Sequence, residues 1–527
     1  MPSLPPDILA FLAVILRGLQ LAAQSLVLGG ILFLHGFLIP LTPVLAGRAR
    51  EMEATGLRWI AWGGLGLAGV ALLSAAATLA QLVAGLGIAA SEALGADFIQ
   101  WSVVMAVAAL GVAGVARQGP GGVQAMVLAA LGLMVLAASV LSSHAFARLD
   151  DRPYFMIAGA LHQAGAGLWI GGIPFMLLAL SRLPDSRDRL MVGMRFSHLF
   201  TGAVGVLLLG AAMLAWGYIR TPGALIGTAY GIMTGAKIAL LGVLLSLAAM
   251  NRTSVRAEAR DKGQFRLRRF AEVEIGIGVT VLMIAASMAS QPPAVDQSEF
   301  QASIAEIVGR MAPTAPRLIS PPPDSLASVQ QVSTEDTLLA DKMWSEFNHN
   351  WSGVFVLTMG LLALAHGTGK AGWAGHWPLM FLVMAAALLV RSDPESWPLG
   401  PRGFFETMAD PEVFQHRLVA LLLIPFGWFE WSVRTGRRTS PGAALIFPVL
   451  CAVGAMLLLV HSHTLTDVKE RFLIEFSHIP MGLFGVLAGW LRWLQIRGQG
   501  RISRVAGVLW PLCFSMVGVL LLFYRET

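Results

Sequence analysis

The chain has 527 residues, of which 56% are hydrophobic and 13% charged, with a mean hydropathy of +0.69 and a formal net charge of +6. Apolar residues in that proportion, gathered in runs of about 20, exclude a string of soluble domains and indicate a polytopic membrane protein. Solid runs in place of alternation exclude a β-barrel, and two cysteines, Cys451 and Cys513, both inside apolar runs, exclude a disulfide framework or a CxxC site.

Apolar segments fall near 8–44, 57–88, 98–116, 123–145, 154–181, 196–219, 227–250, 270–290, 350–367, 375–391, 413–433, 441–463, 471–495 and 504–523. They predict an all-α fold of about fourteen transmembrane helices. The first run is too long for a cleaved signal peptide and lacks its basic flank, so it is expected to persist as the first helix. Alternate connections hold 23 of the 37 basic residues and only 9 of the 31 acidic ones. That asymmetry assigns them to the cytoplasmic side and turns both termini outward. The pI near 9.7 then reflects topology, and no nucleic-acid binding is expected. A Pro-, Ser- and acid-rich stretch over 291–348 reads as an outer linker. It divides an eight-helix bundle at 1–290 from a six-helix bundle at 349–527.

Histidine is the residue type whose placement carries chemical information. Of eleven, seven belong to the outward side: His144, His162, His349, His416, His461, His463 and His478. His35, His198, His366 and His376 fall nearer the inner side. Ionisable residues inside a membrane are costly and usually face a bundle interior or a site. The hairpins SHAFARLDDRPYFMIAGALH, ending at His162, and HSHTLTDVKERFLIEFSH, ending at His478, share a Ser-His pair, a charged turn, an aromatic and a second histidine. They read as a weak internal repeat. His162 and His478 should lie roughly 10–12 Å below their helix starts, so each hairpin is expected to pair two imidazoles, His144 with His162 and His463 with His478. Neutral imidazole ligates Cu, Zn, Fe and Ni. HExxH, cysteine clusters and phosphate-cradling loops are missing from the sequence, and no residue set suggests catalysis, so the protein is not expected to be an enzyme.

The runs LHQAGAGLWIGGIPF from Leu161, RFSHLF, TAYGIMTGAKIALL, AAMNR and LRRFAEVEIGIGVTVLMIAASMASQPP resemble the CopD family of bacterial copper-resistance membrane proteins, over about residues 140–293. FNHNWSGVFVL, RSDPESWPLGPRGF and FQHRLVALLL look like the extension of longer relatives. The resemblance implies a multi-pass inner-membrane protein of copper homeostasis that moves copper from periplasm to cytoplasm, often beside a periplasmic CopC-type partner. It makes His144 and His162 the natural metal candidates. A β-type CopC domain is not expected within the proline-rich linker.

Two further residues stand out. Lys237 is a basic residue well inside an apolar run, expected to serve an ion path or to pair with Glu274. Met481 follows His478 by one turn and offers a soft thioether, although methionine on apolar helices usually packs. Three readings are open: a copper transporter, a b-type haem protein with bis-histidine ligation, and a copper chaperone that does not transport.

Overall fold

The computed structural model describes residues 6–526 apart from 46, 120, 184, 259–263, 323–334, 394–395 and 461–467. The described residues contain helices and no strand, as a chain must when hydrocarbon leaves every backbone polar group to be satisfied within its own segment. They fall into two compact units, Met1–Glu299 and Phe300–Thr527.

Among the described residues, thirteen helices are long and apolar enough to cross a membrane. In the first unit they are α1 (Phe11–Leu45), α2 (Gly47–Gly85), α3 (Asp97–Arg117), α4 (Gly122–Leu141), α5 (Arg152–Ser181), α6 (Arg187–Tyr218), α7 (Ala229–Thr253) and α8 (Leu267–Met288). In the second unit α9 (Leu339–Gly367) and α10 (Gly372–Arg391) are followed by α11 (Pro411–Arg434). Then come α12 (Ala443–Val460), α13 (Phe472–Arg497) and α14 (Gly500–Leu522). α11 is the fourteenth helix expected from the sequence. It forms over 24 residues, but Arg417, Glu430 and Arg434 dilute its apolar run, and it is not among the thirteen. The helix containing α9 begins at Glu335, so His349 lies inside it and not at its start, as the apolar run alone suggested.

Small residues decide which helices meet. In the first unit, a Cβ at Gly171 of α5 would collide with the Ser25 carbonyl of α1. One at Gly165 would stand 2.6 Å from the Leu207 Cα of α6. These glycines let backbones approach closely, the usual basis of helix association in lipid. Around the α1–α5 crossing, Phe33 stacks on Phe175 at 5.3 Å and Phe37 on Phe196 at 4.5 Å. α1 itself contains a π-turn over Phe33–Leu38, and His35 Nδ1 lies 3.1 Å from the Ile31 carbonyl there.

The second unit is built around Met359, Trp377, Phe447, Ala488, Trp510 and Phe514. Cys451 and Cys513 pack against this core as partly buried hydrophobes. The Arg434 guanidinium sits 4.7 Å over Trp377 and 5.3 Å from Trp510, with its Nε 2.7 Å from Glu430 Oε1. A charge at this depth is tolerated because a carboxylate one turn away and two aromatic faces take the place of water. α9 and α14 cross at Gly353, Gly360 and Gly518, where an added Cβ would press on the facing backbone.

Candidate metal centre

In the second unit α9 and α13 bring His349 and His478 together, their ring centroids 5.9 Å apart and the rings nearly perpendicular. Tyr524, just beyond α14, packs against both, 4.1 Å from His349 and 5.4 Å from His478. Each imidazole is oriented from its own helix. His349 Nδ1 lies 2.8 Å from the Ser345 carbonyl, and His478 Nδ1 lies 2.8 Å from the Ile474 carbonyl. A carbonyl only accepts, so in both rings Nδ1 is the donor. Fixing the tautomer through the other ring nitrogen is how a histidine is prepared for a metal.

The surroundings of the pair are held by the chain's last residues. The Tyr524 hydroxyl donates to Glu526 Oε1 at 2.6 Å, and the Ser345 hydroxyl donates to the same oxygen at 2.5 Å. The Glu526 amide donates to Glu346 Oε1 at 2.8 Å, and Glu346 in turn receives Arg317 Nε at 3.0 Å. Burial and the neighbouring Glu526 carboxylate push the Tyr524 phenol well above its ordinary value. The ring packs against both imidazoles as a protonated phenol.

His416, on α11, has Nδ1 2.9 Å from Asp393 Oδ1. Asp393 is buried, with Arg417 Nη2 3.6 Å away, and Arg417 also donates to the carbonyls of Leu388, Leu389 and Trp397. Met481 is buried on α13, three residues after His478. His461 and His463 lie outside the described residues.

In the first unit the expected pair does not form. His144, exposed on a short helix, bonds the Ala289 carbonyl through Nε2. His162, on α5, has Nδ1 3.4 Å from the Leu207 carbonyl and lines an internal cavity with Lys237. No ring contact joins them among the described residues. The reason is local: the short helix Ser143 introduces turns His144 toward the end of α8, while His162 faces inward from α5. The Lys237–Glu274 ion pair is not made either. Glu274 accepts a hydrogen bond from Asn251 Nδ2 at 2.6 Å, because the short amide at the end of α7 reaches it where Lys237, further up the helix, does not. Among the described residues, no group of three or more His, Cys, Asp or Glu side chains is arranged to hold a metal ion.

Sequence reasoning missed the His349–His478 contact and Tyr524. It also missed the amide cluster of the first unit, where Gln24 Nε2 and the Ser139 hydroxyl both donate to Gln163 Oε1, at 3.2 and 2.7 Å. The signal available was three polar side chains, Gln20, Gln24 and Ser25, inside the first apolar run.

Comparison with known proteins bears on the first unit. Residues 190–288, which hold most of α6 and all of α7 and α8, match the family described as Copper resistance protein D. A relative, the Copper transport protein CutJ of Bacillus subtilis (strain 168), is 31% identical over 161 residues. That match takes in 30% of this chain and 29% of the relative's length. No solved structure matches the chain.

Proposed function

We propose, with the CopD-family segment at residues 190–288 as the premise, that this multi-pass membrane protein binds copper at outward-side histidines and passes it toward the cytoplasm. The observation that carries the reading is the His349–His478 pair, two imidazoles on different helices with Nδ1 committed to backbone carbonyls. Two nitrogen donors at this spacing, beside a neutral phenol, suit a copper ion, which imidazole binds more readily than most first-row metals. His416, His461 and His463 belong to the same half of the chain and are the proposed further ligands. His144 and His162 are separate imidazoles, each proposed only as a single ligand for copper in transit. The protein is read as a bacterial inner-membrane component of copper homeostasis, with a separate periplasmic CopC-type protein as donor.

The test is metal analysis of purified protein loaded with copper. His349→Ala combined with His478→Ala should lower the copper bound per chain, whereas His366→Ala should not. An unchanged copper content in the double variant would remove the site. Copper uptake into proteoliposomes then separates transport from a chaperone role, since tight binding without flux would leave only the chaperone.

A further inference from the structure

The first unit encloses a cavity of about 180 Å³ between α1, α5, α6, α7 and α8. Most of its lining is aliphatic, and the polar residues include Gln24, His162, Gln163, Tyr230 and Lys237. These polar groups are left incomplete. Gln24 is 2% exposed, yet its Oε1 has no hydrogen-bond partner. Gln163 accepts two hydrogen bonds through Oε1, and its own Nε2 has no described acceptor. Lys237 has neither an ion pair nor a hydrogen bond among the described residues, since Glu274 on the adjoining helix is engaged by Asn251. A lysine ammonium without a counter-charge inside a membrane protein is costly.

The cavity also reaches the lipid-facing surface. Ala215 of α6 and Ile238 of α7 line it and are exposed, Ile238 to 56%. Around them Leu208, Leu209, Trp216 and Leu245 are exposed apolar residues of the same two helices. A molecule arriving here comes from the acyl-chain region, so its body must be apolar. At the inner end it meets an unpaired cation and an amide donor, so its head must be a compact anion.

We propose that this cavity binds a single-chain carboxylate amphiphile from the bilayer, of the long-chain fatty-acid type. Its carboxylate pairs with Lys237 and accepts from Gln163 Nε2, and its chain leaves past Ile238. The occupant does not contribute a donor to Gln24 Oε1. A water molecule that donates one hydrogen to that oxygen and the other to the carboxylate joins the two acceptors.

The experiment uses the full chain reconstituted in phosphatidylcholine vesicles, with doxyl-labelled stearate as probe and electron paramagnetic resonance as readout. A saturable immobilised component of about one probe per chain is expected. Oleate should displace it, and oleyl alcohol, an anionic phospholipid and a quinone should not. Lys237→Met should weaken probe binding about tenfold or more, while Lys237→Arg keeps most of it. Ala215→Trp, which narrows the mouth and leaves the cation in place, should also lose the immobilised component. Helix content and gel-filtration profile establish that each variant is folded. The proposal fails if no saturable component exists, if the alcohol or the quinone competes as well as oleate, if the phospholipid competes better, or if folded Lys237→Met binds like the wild type.

Discussion

Gly353→Ala tests whether the α9–α14 crossing sets the geometry of the imidazole pair. Gly353 lies four residues after His349 on the same face of α9. A Cβ there would stand 2.6 Å from the Leu522 Cα and 2.8 Å from the Gly518 carbonyl oxygen. Both are backbone atoms of α14 and cannot rotate aside. Restoring an ordinary separation of about 3.5 Å requires the helices to part by roughly 1 Å, beside a His349–Tyr524 stack that now closes at 4.1 Å. Overpacking of this kind costs about 1–3 kcal/mol. If that cost falls on the metal-bound arrangement, copper affinity drops by about 5- to 150-fold, since 1.4 kcal/mol is about tenfold. Competition against a chelator of known affinity measures the loss, and thermal unfolding in detergent measures the accompanying destabilisation. Wild-type affinity together with a wild-type melting temperature would refute the argument that this crossing positions the site.

Other expectations follow from single contacts. Arg417→Ala removes a buried cation from Asp393 and from the Leu388, Leu389 and Trp397 carbonyls, and should destabilise the second unit by about 3–5 kcal/mol in chemical denaturation. Burial pushes the Asp393 carboxylate up, but the hydrogen bond and charge of His416, the Ser392 hydroxyl and Arg417 outweigh it and hold it below the ordinary aspartate range. Its pairing therefore stabilises in full above the unfolded value of about 3.9 and is lost as pH falls through the lower folded value. Asp393→Asn should be less stable at neutral pH and show a flatter decline below about pH 4 in a melting-temperature series. Gln163→Leu strips the Gln24 and Ser139 donors of their shared acceptor and should cost about 1–3 kcal/mol. Gly171→Val, against the Ser25 carbonyl, should prevent assembly of the first unit, read as loss of the folded protein's peak in gel filtration.

The membrane helices were legible because hydrocarbon demands solid apolar runs, a signal that needs no knowledge of neighbours. Helix ends were less so. The helix containing α9 starts at Glu335, well before its apolar run, because chain outside the membrane can be helical without being apolar. Partners across the bundle left no trace in the sequence. His349 and His478 are separated by three intervening helices, α10, α11 and α12, and Tyr524 lies past the last apolar run where nothing marks it. The hairpin logic that joined His144 to His162 assumed that chain neighbours face each other. The Ser143 turn and the carbonyl at Ala289 redirect His144 instead. Lys237 was visible as a costly intramembrane charge, but its surroundings depended on which polar side chain reached Glu274 first, and Asn251 does.

Ahead of α9, a short helix over Ile304–Met311 is closed by a capping box from Ser303 and Glu306. Glu306 is held down at about 2 by its hydrogen bonds from Lys469, 2.5 Å away, and Ser303. Arg310, at the other end of that helix, donates to the Glu526 carbonyl at 2.6 Å. Lys469 opens the helix that carries His478, and Glu526 holds Tyr524 and Ser345. This small helix thus ties together the histidine-bearing element and the chain's tail. Anyone preparing the C-terminal half alone, or placing a protease site or fluorescent insertion between the halves, should cut upstream of Ser303. A cut at the first apolar residue of α9 would sever the brace and loosen the imidazole pair from a distance.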